Sequence, residues 1–301
     1  MARTPEEHIP QSAAELTPEW FSDVLSFDGS VTAVRIETIG TGVGFMGEVH
    51  RCHLTWAGGD DDTPDSVIVK MPTAHPTNFA LGDGLQLYER EIVVYRELGD
   101  SLGIPMPHHL YSAMDPDPAP WIERVIVFLF SVLPIRAINW LLRQSLKLAG
   151  RSKRRYLLVL EDIADAHPPR QVQGGSVEDA AAALQVLARF HATNWMRYDV
   201  PKRYRRIWPI DRGSRAYQAG YARNREQFVE RFGEQLGEAT IARLDDIQKR
   251  LPSLDGQLAS EPWTLLHGDF RLDNVLFRPD GEIVVLDYQG LSRGRPGMDV
   301  A

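Results

Sequence analysis

His267-Gly268-Asp269-Phe270-Arg271-Leu272-Asp273-Asn274 is followed, after a short predicted hairpin, by Leu286-Asp287-Tyr288-Gln289. Asp269 and Asn274 stand five positions apart, and Asp287 comes thirteen positions after Asn274. A carboxylate at Asp269 can orient an alcohol and accept its proton, a role worth about 10² to 10⁴ in rate. Asn274 and Asp287 offer hard oxygen atoms. These suit Mg²⁺, which keeps several waters and is commonly held by one or two protein groups plus phosphate. The apolar run Ile283 to Leu286 predicts a buried strand that delivers Asp287 to the edge of a site. An Asp-rich turn between two strands would read much the same in isolation, so the rest of the chain has to decide.

The intervals match the protein-kinase loop HRDLxxxN and the metal-binding Asp on the strand that follows it. The amino-terminal half adds to the match. Gly42-Val43-Gly44-Phe45-Met46-Gly47-Glu48-Val49 fits GxGxxGxV, whose glycines let backbone approach the phosphates of a nucleotide. Strand-like runs flank it, Val31 to Ile36 before and Val49 to Trp56 after, so the loop is placed in a hairpin. A dinucleotide-binding loop would open a helix instead. Val67-Ile68-Val69-Lys70 is an apolar strand ending in lysine, like the VAIK strand whose lysine meets phosphates. Leu85 to Gly99 is predicted as a helix carrying Tyr88, Ile92 and Tyr95 on one stripe. Glu91 lies beside that stripe and is the expected partner of Lys70, with Glu89 and Glu97 as rivals.

Together, Gly42 to Val49, Lys70, Glu91, Leu158-Val159-Leu160-Glu161-Asp162-Ile163, HGDFRLDN and LDYQG resemble the aminoglycoside phosphotransferase and choline kinase-like superfamily, in its order. The DYQ triplet and Gly297 to Ala301 look most like its ecdysteroid kinase-like branch, while HGDFRLDN is similar to a bacterial phosphotransferase branch. The resemblance implies an α+β, protein kinase-like two-lobe fold, with an N-terminal antiparallel sheet plus helix and a mainly helical C-terminal lobe. It places a nucleotide-binding lobe at 1–160 and a catalytic lobe at 161–301. It implies Asp269 as catalytic base, Asn274 and Asp287 as Mg²⁺ ligands, and Lys70 with Glu91 as the nucleotide pair. Gly42, Gly44 and Gly47 would cover the phosphates of ATP, and backbone around Glu161 to Ile163 would receive adenine. The implied activity moves the γ-phosphoryl group of ATP to a hydroxyl of a small molecule. A catalytically silent nucleotide-binding or scaffolding protein is the competing reading.

Two features depart from that pattern. Between strand candidates His109 to Met114 and Tyr156 to Leu160, the stretch near 116–155 is long. It holds an eleven-residue apolar run, Val125 to Ile135, too short for the roughly 20 residues that span a bilayer. A helix-like stretch, Ala137 to Ala149, follows. Arg136, Arg143, Lys147, Arg151, Lys153, Arg154 and Arg155 make this second half basic. An inserted helical element, packed on the lobes or covering the site, is the preferred reading, and an interfacial element touching membrane or a lipophilic substrate is the alternative. The second departure is the end, where the family pattern continues into further helices beyond Ala301. A catalytic lobe that is truncated, or a divergent short one, is therefore expected.

The remaining signals are general. Hydrophobic content of 43% can furnish a core, and a net charge of -8 argues against nucleic acid as a partner. One cysteine, Cys52, excludes an internal disulfide, and the first twenty residues hold no apolar signal segment, which predicts a cytoplasmic setting. Ser176 with Asp179 predicts a helix start, with Ala180, Leu184, Leu187 and His191 on one face and His191 read as a core residue. Two helices are expected from Ala216 to Leu251, packed through Ile241, Leu244 and Ile247.

Overall fold

Val67, Val69 and Met71 alternate with Ser66, Ile68 and Lys70 along one strand. A period of two sends the apolar three to one face and Lys70 to the other. The computed structural model describes residues 8–39, 46–117, 120–150, 152–166, 174–200, 204 and 207–301. Strands β1 (Ser30–Ile39), β2 (Gly47–Ala57), β3 (Ser66–Pro72), β4 (His109–Met114) and β5 (Tyr156–Glu161) form one antiparallel sheet in the order β1-β2-β3-β5-β4. Helix α1 (Pro18–Val24) contributes Trp20 and Phe21 to the core with Cys52, Val67, Val69, Leu157 and Val159. Full burial of such a large apolar side chain contributes about 1.5 to 3 kcal/mol. Thr17 caps α1 by accepting from the Trp20 N–H at 3.2 Å.

The helix expected from Leu85 divides. Helix α2 (Pro76–Gly84) precedes it, Gln86 adopts a left-handed φ of 57°, and α3 then runs Leu87–Val93 before widening into a π-helical turn, Val94–Leu98. Such π-turns are frequent at functional sites. Tyr88, Glu91 and Ile92 of α3 are buried.

The apolar run from Val125 proves to be the latter part of α4 (Pro120–Val132), and α5 (Ile135–Ala149) follows after two residues. Arg154 and Arg155 of the basic stretch are held by structural partners. Arg154 donates to Asp83 at 3.3 Å and to Glu89 at 3.1 Å, and Arg155 grips Asp115 at 2.8 and 2.9 Å. Helix α6 (Val177–Thr193) starts at the expected reciprocal cap of Ser176 and Asp179, each bond 3.0 Å. Its buried face is Ala183, Leu187, Phe190 and His191, and Leu184 is exposed, so the packing stripe lies off the one expected.

Helices α7 (Ser214–Leu236) and α8 (Glu238–Ala259) are separated by Gly237 at φ 75°. Of the expected stripe, Ile241 is buried but Ile247 is exposed. Helix α8 continues through Pro252, which has no N–H for the carbonyl of Gln248. The Gln218 side chain of α7 donates to that carbonyl, replacing the missing partner. Short strands complete the chain. β6 (Thr264–Leu266) pairs with β9 (Ser292–Gly294), and β7 (Val275–Phe277) with β8 (Ile283–Val285). Among the described residues no helix is long and apolar enough to cross a membrane.

Two compact units divide the chain. The first is Met1–Pro116, Ala149–Asn194 and His267–Gly290, and the second is Asp117–Leu148, Trp195–Leu266 and Leu291–Ala301. The candidate site residues that are described all fall in the first. Gly42 and Gly44 lie outside the described residues; Gly47 opens β2.

Candidate functional site

Register places Lys70 in the middle of the sheet, opposite Val49 on β2 and Leu158 on β5. Its ammonium pairs with Glu91 of α3, and its Nζ lies 3.8 Å from Asp287 Oδ1. The rivals of Glu91 are engaged elsewhere, Glu89 with Arg154 and Glu97 with Arg96 at 2.7 Å. Glu91 is further fixed by the Gln289 side chain, which donates to Oε2 at 3.1 Å, while Arg90 donates to the Gln289 carbonyl at 2.7 Å. Burial works against the Lys70 cation, but Asp287 and Glu91 together raise its pKa above the ordinary lysine value, so it stays charged. Burial also raises Glu91, with Lys70 opposing.

The β7–β8 hairpin brings Asn274 and Asp287 to its base. Val275 pairs with Val285, and the Leu286 N–H donates to the Asn274 carbonyl at 2.9 Å, which sets Asn274 at one end of the hairpin base and Asp287 beside the other. Asp287 has a left-handed φ of 66°, a conformation that costs a non-glycine residue about 1 to 3 kcal/mol and collects at functional sites. Its Oδ1 is buried without a hydrogen-bond partner. The Asn274 amide nitrogen donates to the Asp269 carbonyl and to Asp269 Oδ2, each at 2.9 Å, which leaves its oxygen for another group. Asp269 Oδ2 also accepts from Arg271 Nε at 3.2 Å. Among the described residues no three His, Cys, Asp or Glu side chains cluster as a metal site. A carboxylate oxygen that meets Lys70 but makes no hydrogen bond, together with the amide oxygen left over on Asn274, would suit Mg²⁺, which takes few protein ligands when phosphate supplies the rest.

His267 ties these segments together. Its Nε2 lies 2.9 Å from the Leu286 carbonyl, which can only accept, while its Nδ1 accepts from the Asp269 N–H at 3.3 Å. A ring that donates through Nε2 and accepts through Nδ1 braces the two segments against each other. Gly268 has φ 82°, and a Cβ there would stand 2.3 Å from the Gly290 carbonyl oxygen. Backbone passes backbone at that point, which is why glycine occupies both HGD and DYQG.

At the expected adenine segment, the Glu161 N–H donates to the His108 carbonyl at 2.9 Å and Ile163 is buried with Leu276 and Val284. Sequence reading missed its anchor. Asp162 receives Arg51 at 2.7 and 3.0 Å and Ser66 at 2.6 Å, tying the segment to β2 and β3. It also missed Gln289 and Arg90, whose only signal is proximity to Asp287 and Glu91 in sequence. A cavity of about 880 Å³ borders Glu161 and Ile163 and is lined by Arg96, His108 and Arg189. It includes neither Lys70, Asp269 nor Asp287, so chemistry rather than volume marks the candidate site.

Sheet, helix and hairpins define a protein of the two-lobe kinase-like class, with an N-terminal antiparallel sheet and a mainly helical C-terminal region. A model of the phosphotransferase enzyme family, APH, matches residues 145–301, over half of the chain, and the chain belongs to that family. Comparison with curated proteins gives no match. Among solved structures, macrolide 2'-phosphotransferase MphH from Brachybacterium faecium is similar at 15% identity over 91% of this chain and 72% of that one, with a TM-score of 0.45. Choline kinase LicA from Streptococcus pneumoniae is similar at 14% identity over 90% and 67%, with a TM-score of 0.38. Neither likeness adds to what the family match establishes.

Proposed function

We propose that the protein moves the γ-phosphoryl group of ATP to a hydroxyl group of a small molecule. One observation carries the reading: Lys70 is paired with Glu91 and lies 3.8 Å from Asp287 Oδ1, so strand, helix and hairpin converge on one charged cluster. Lys70 meets the α and β phosphates, and Glu91 with Gln289 keeps its ammonium in place. Gly42, Gly44 and Gly47 bring backbone to the phosphates, and the Glu161 to Ile163 backbone receives adenine. Asp269 orients the acceptor hydroxyl. As the bond from the γ-phosphorus to the bridging oxygen breaks, the acceptor oxygen bonds to phosphorus, its proton passes to the Asp269 carboxylate, and ADP leaves. Asn274 and Asp287 are the residues to hold Mg²⁺, which when bound neutralises charge on the phosphate oxygens. The single buried Cys52 suits a reducing, cytoplasmic setting.

The test is ADP release in the presence of aminoglycosides, choline, sugars and sterols in turn. The parent protein is expected to release ADP with at least one acceptor, and Asp269→Ala to lower that rate by about 10² or more while still binding MgATP. Equal rates in parent and variant would remove Asp269 as base. Binding of MgATP with no ADP release from any acceptor would instead favour a silent nucleotide-binding protein.

A further inference from the structure

Helix α4 is apolar on two sides. Ile122, Ile126, Leu129 and Phe130 are half-buried, and Arg215 of α7 donates to the Leu133 carbonyl at 2.6 Å at the helix end. On the other side Trp121, Val125, Phe128 and Val132 recur at intervals of four, three and four, one stripe of a helix. They are 63%, 44%, 64% and 59% exposed. Scattered exposed apolar residues are ordinary, but four large ones in a row mark an interaction surface. Helix α5 carries a second stripe at the same intervals, Arg136, Trp140, Arg143 and Lys147, all exposed. Residues 120–149 contain four basic side chains and a single acidic one, Glu123, within a chain whose net charge is -8.

We infer that α4 and α5 dock on an anionic lipid surface. Charge and shape agree on that occupant. The α4 stripe suits the boundary between headgroups and acyl chains, where amphipathic helices bury an apolar face by about 5 to 10 Å. Tryptophan at Trp121 and Trp140 is the residue that favours such a boundary, and the α5 cations meet lipid phosphates. A second copy of the chain fits less well. A two-fold interface sets the same patch against itself, and a patch with four basic side chains and one acidic one offers its copy little charge complement. No described helix is long and apolar enough to cross the bilayer, so the contact is with its surface.

Co-sedimentation of the 301-residue protein with vesicles tests this, using phosphatidylcholine alone and phosphatidylcholine mixed with phosphatidylserine. Binding to the serine-containing vesicles, weakened by salt and accompanied by a blue shift of tryptophan fluorescence, is the expected result. Arg136→Gln, Arg143→Gln and Lys147→Gln together should weaken that binding about a hundredfold. Trp121→Ser with Phe128→Ser should remove binding, and unchanged circular dichroism melting would show that each variant folds. The charge variant alone suffices if the apolar one does not fold. No binding, equal binding to both vesicle types, or binding unaltered in the folded variants would overturn the inference. So would a dimer that Trp121→Ser with Phe128→Ser dissociates in the absence of any vesicle binding.

Discussion

Gly268 shows how narrowly the site is specified at the scale of one residue. Its φ of 82°, and the mere 2.3 Å that would separate a Cβ from the Gly290 oxygen, leave no room for any other side chain without moving backbone. Gly268→Ala is therefore expected to destabilise the protein by about 3 kcal/mol, measured as a lower denaturation midpoint. A midpoint equal to the parent's would show that the loop can move aside freely. Asp287 carries the complementary cost, a left-handed backbone and a buried oxygen with no hydrogen bond. Both features make sense if the oxygen is reserved for a cation rather than for the fold. Asp269 differs, since Asn274 and Arg271 already hold its carboxylate in position through hydrogen bonds.

Between elements, α7 and α8 meet through polar pairs. Asp245 accepts from Arg225 at 2.6 Å to each oxygen and from Tyr221 at 2.9 Å. The Arg225 hydrogen bonds hold its carboxyl below the usual 3.8, at about 2. A folded-state pKa below the unfolded one gives stability that is present above pH 3.8 and lost as pH falls through about 2. Asp245→Asn should flatten the acid limb of stability within that window, and an unchanged limb would show that the pair contributes nothing. Gln218 supplies the carbonyl partner that Pro252 cannot. Gln218→Ala is expected to cost about 1 kcal/mol, and the same change on a Pro252→Ala background to cost much less, because the helix then satisfies Gln248 itself. Equal losses on both backgrounds would refute that explanation. Elements such as β2 to β5 and α6 were legible because alternation, apolar runs and a capping pair are local signals. As candidates, Asp269, Asn274 and Asp287 were legible through spacing and Lys70 through the apolar strand that it ends. Glu91 emerged from three candidates only through helix register. Asp162 with Arg51, and Gln289 with Glu91, were not legible, since each pair joins residues about a hundred or more positions apart and nothing local announces the contact. Helices α1 and α2 were missed because each is short and, in α2, carries glycine and little apolar periodicity.

For the molecule as a whole, the described candidate residues come from three separated stretches of chain, Met1–Pro116, Ala149–Asn194 and His267–Gly290, gathered into one compact unit. Such assembly from distant segments costs chain entropy that only tertiary contacts can offset. The charged cluster of Lys70, Glu91 and Asp287 sits where those segments join, and the Gly268 to Gly290 crossing lies beside it in sequence. As proposed above, this cluster holds a nucleotide triphosphate together with Mg²⁺. Calorimetric titration of ATP, with and without Mg²⁺, into the parent protein and Asp287→Asn tests it most directly. Mg²⁺ should tighten ATP binding to the parent, and Asp287→Asn should lose most of that tightening while its melting temperature stays near the parent's. A parent that does not bind ATP, or a variant whose response to Mg²⁺ equals the parent's, would show that the cluster serves another purpose.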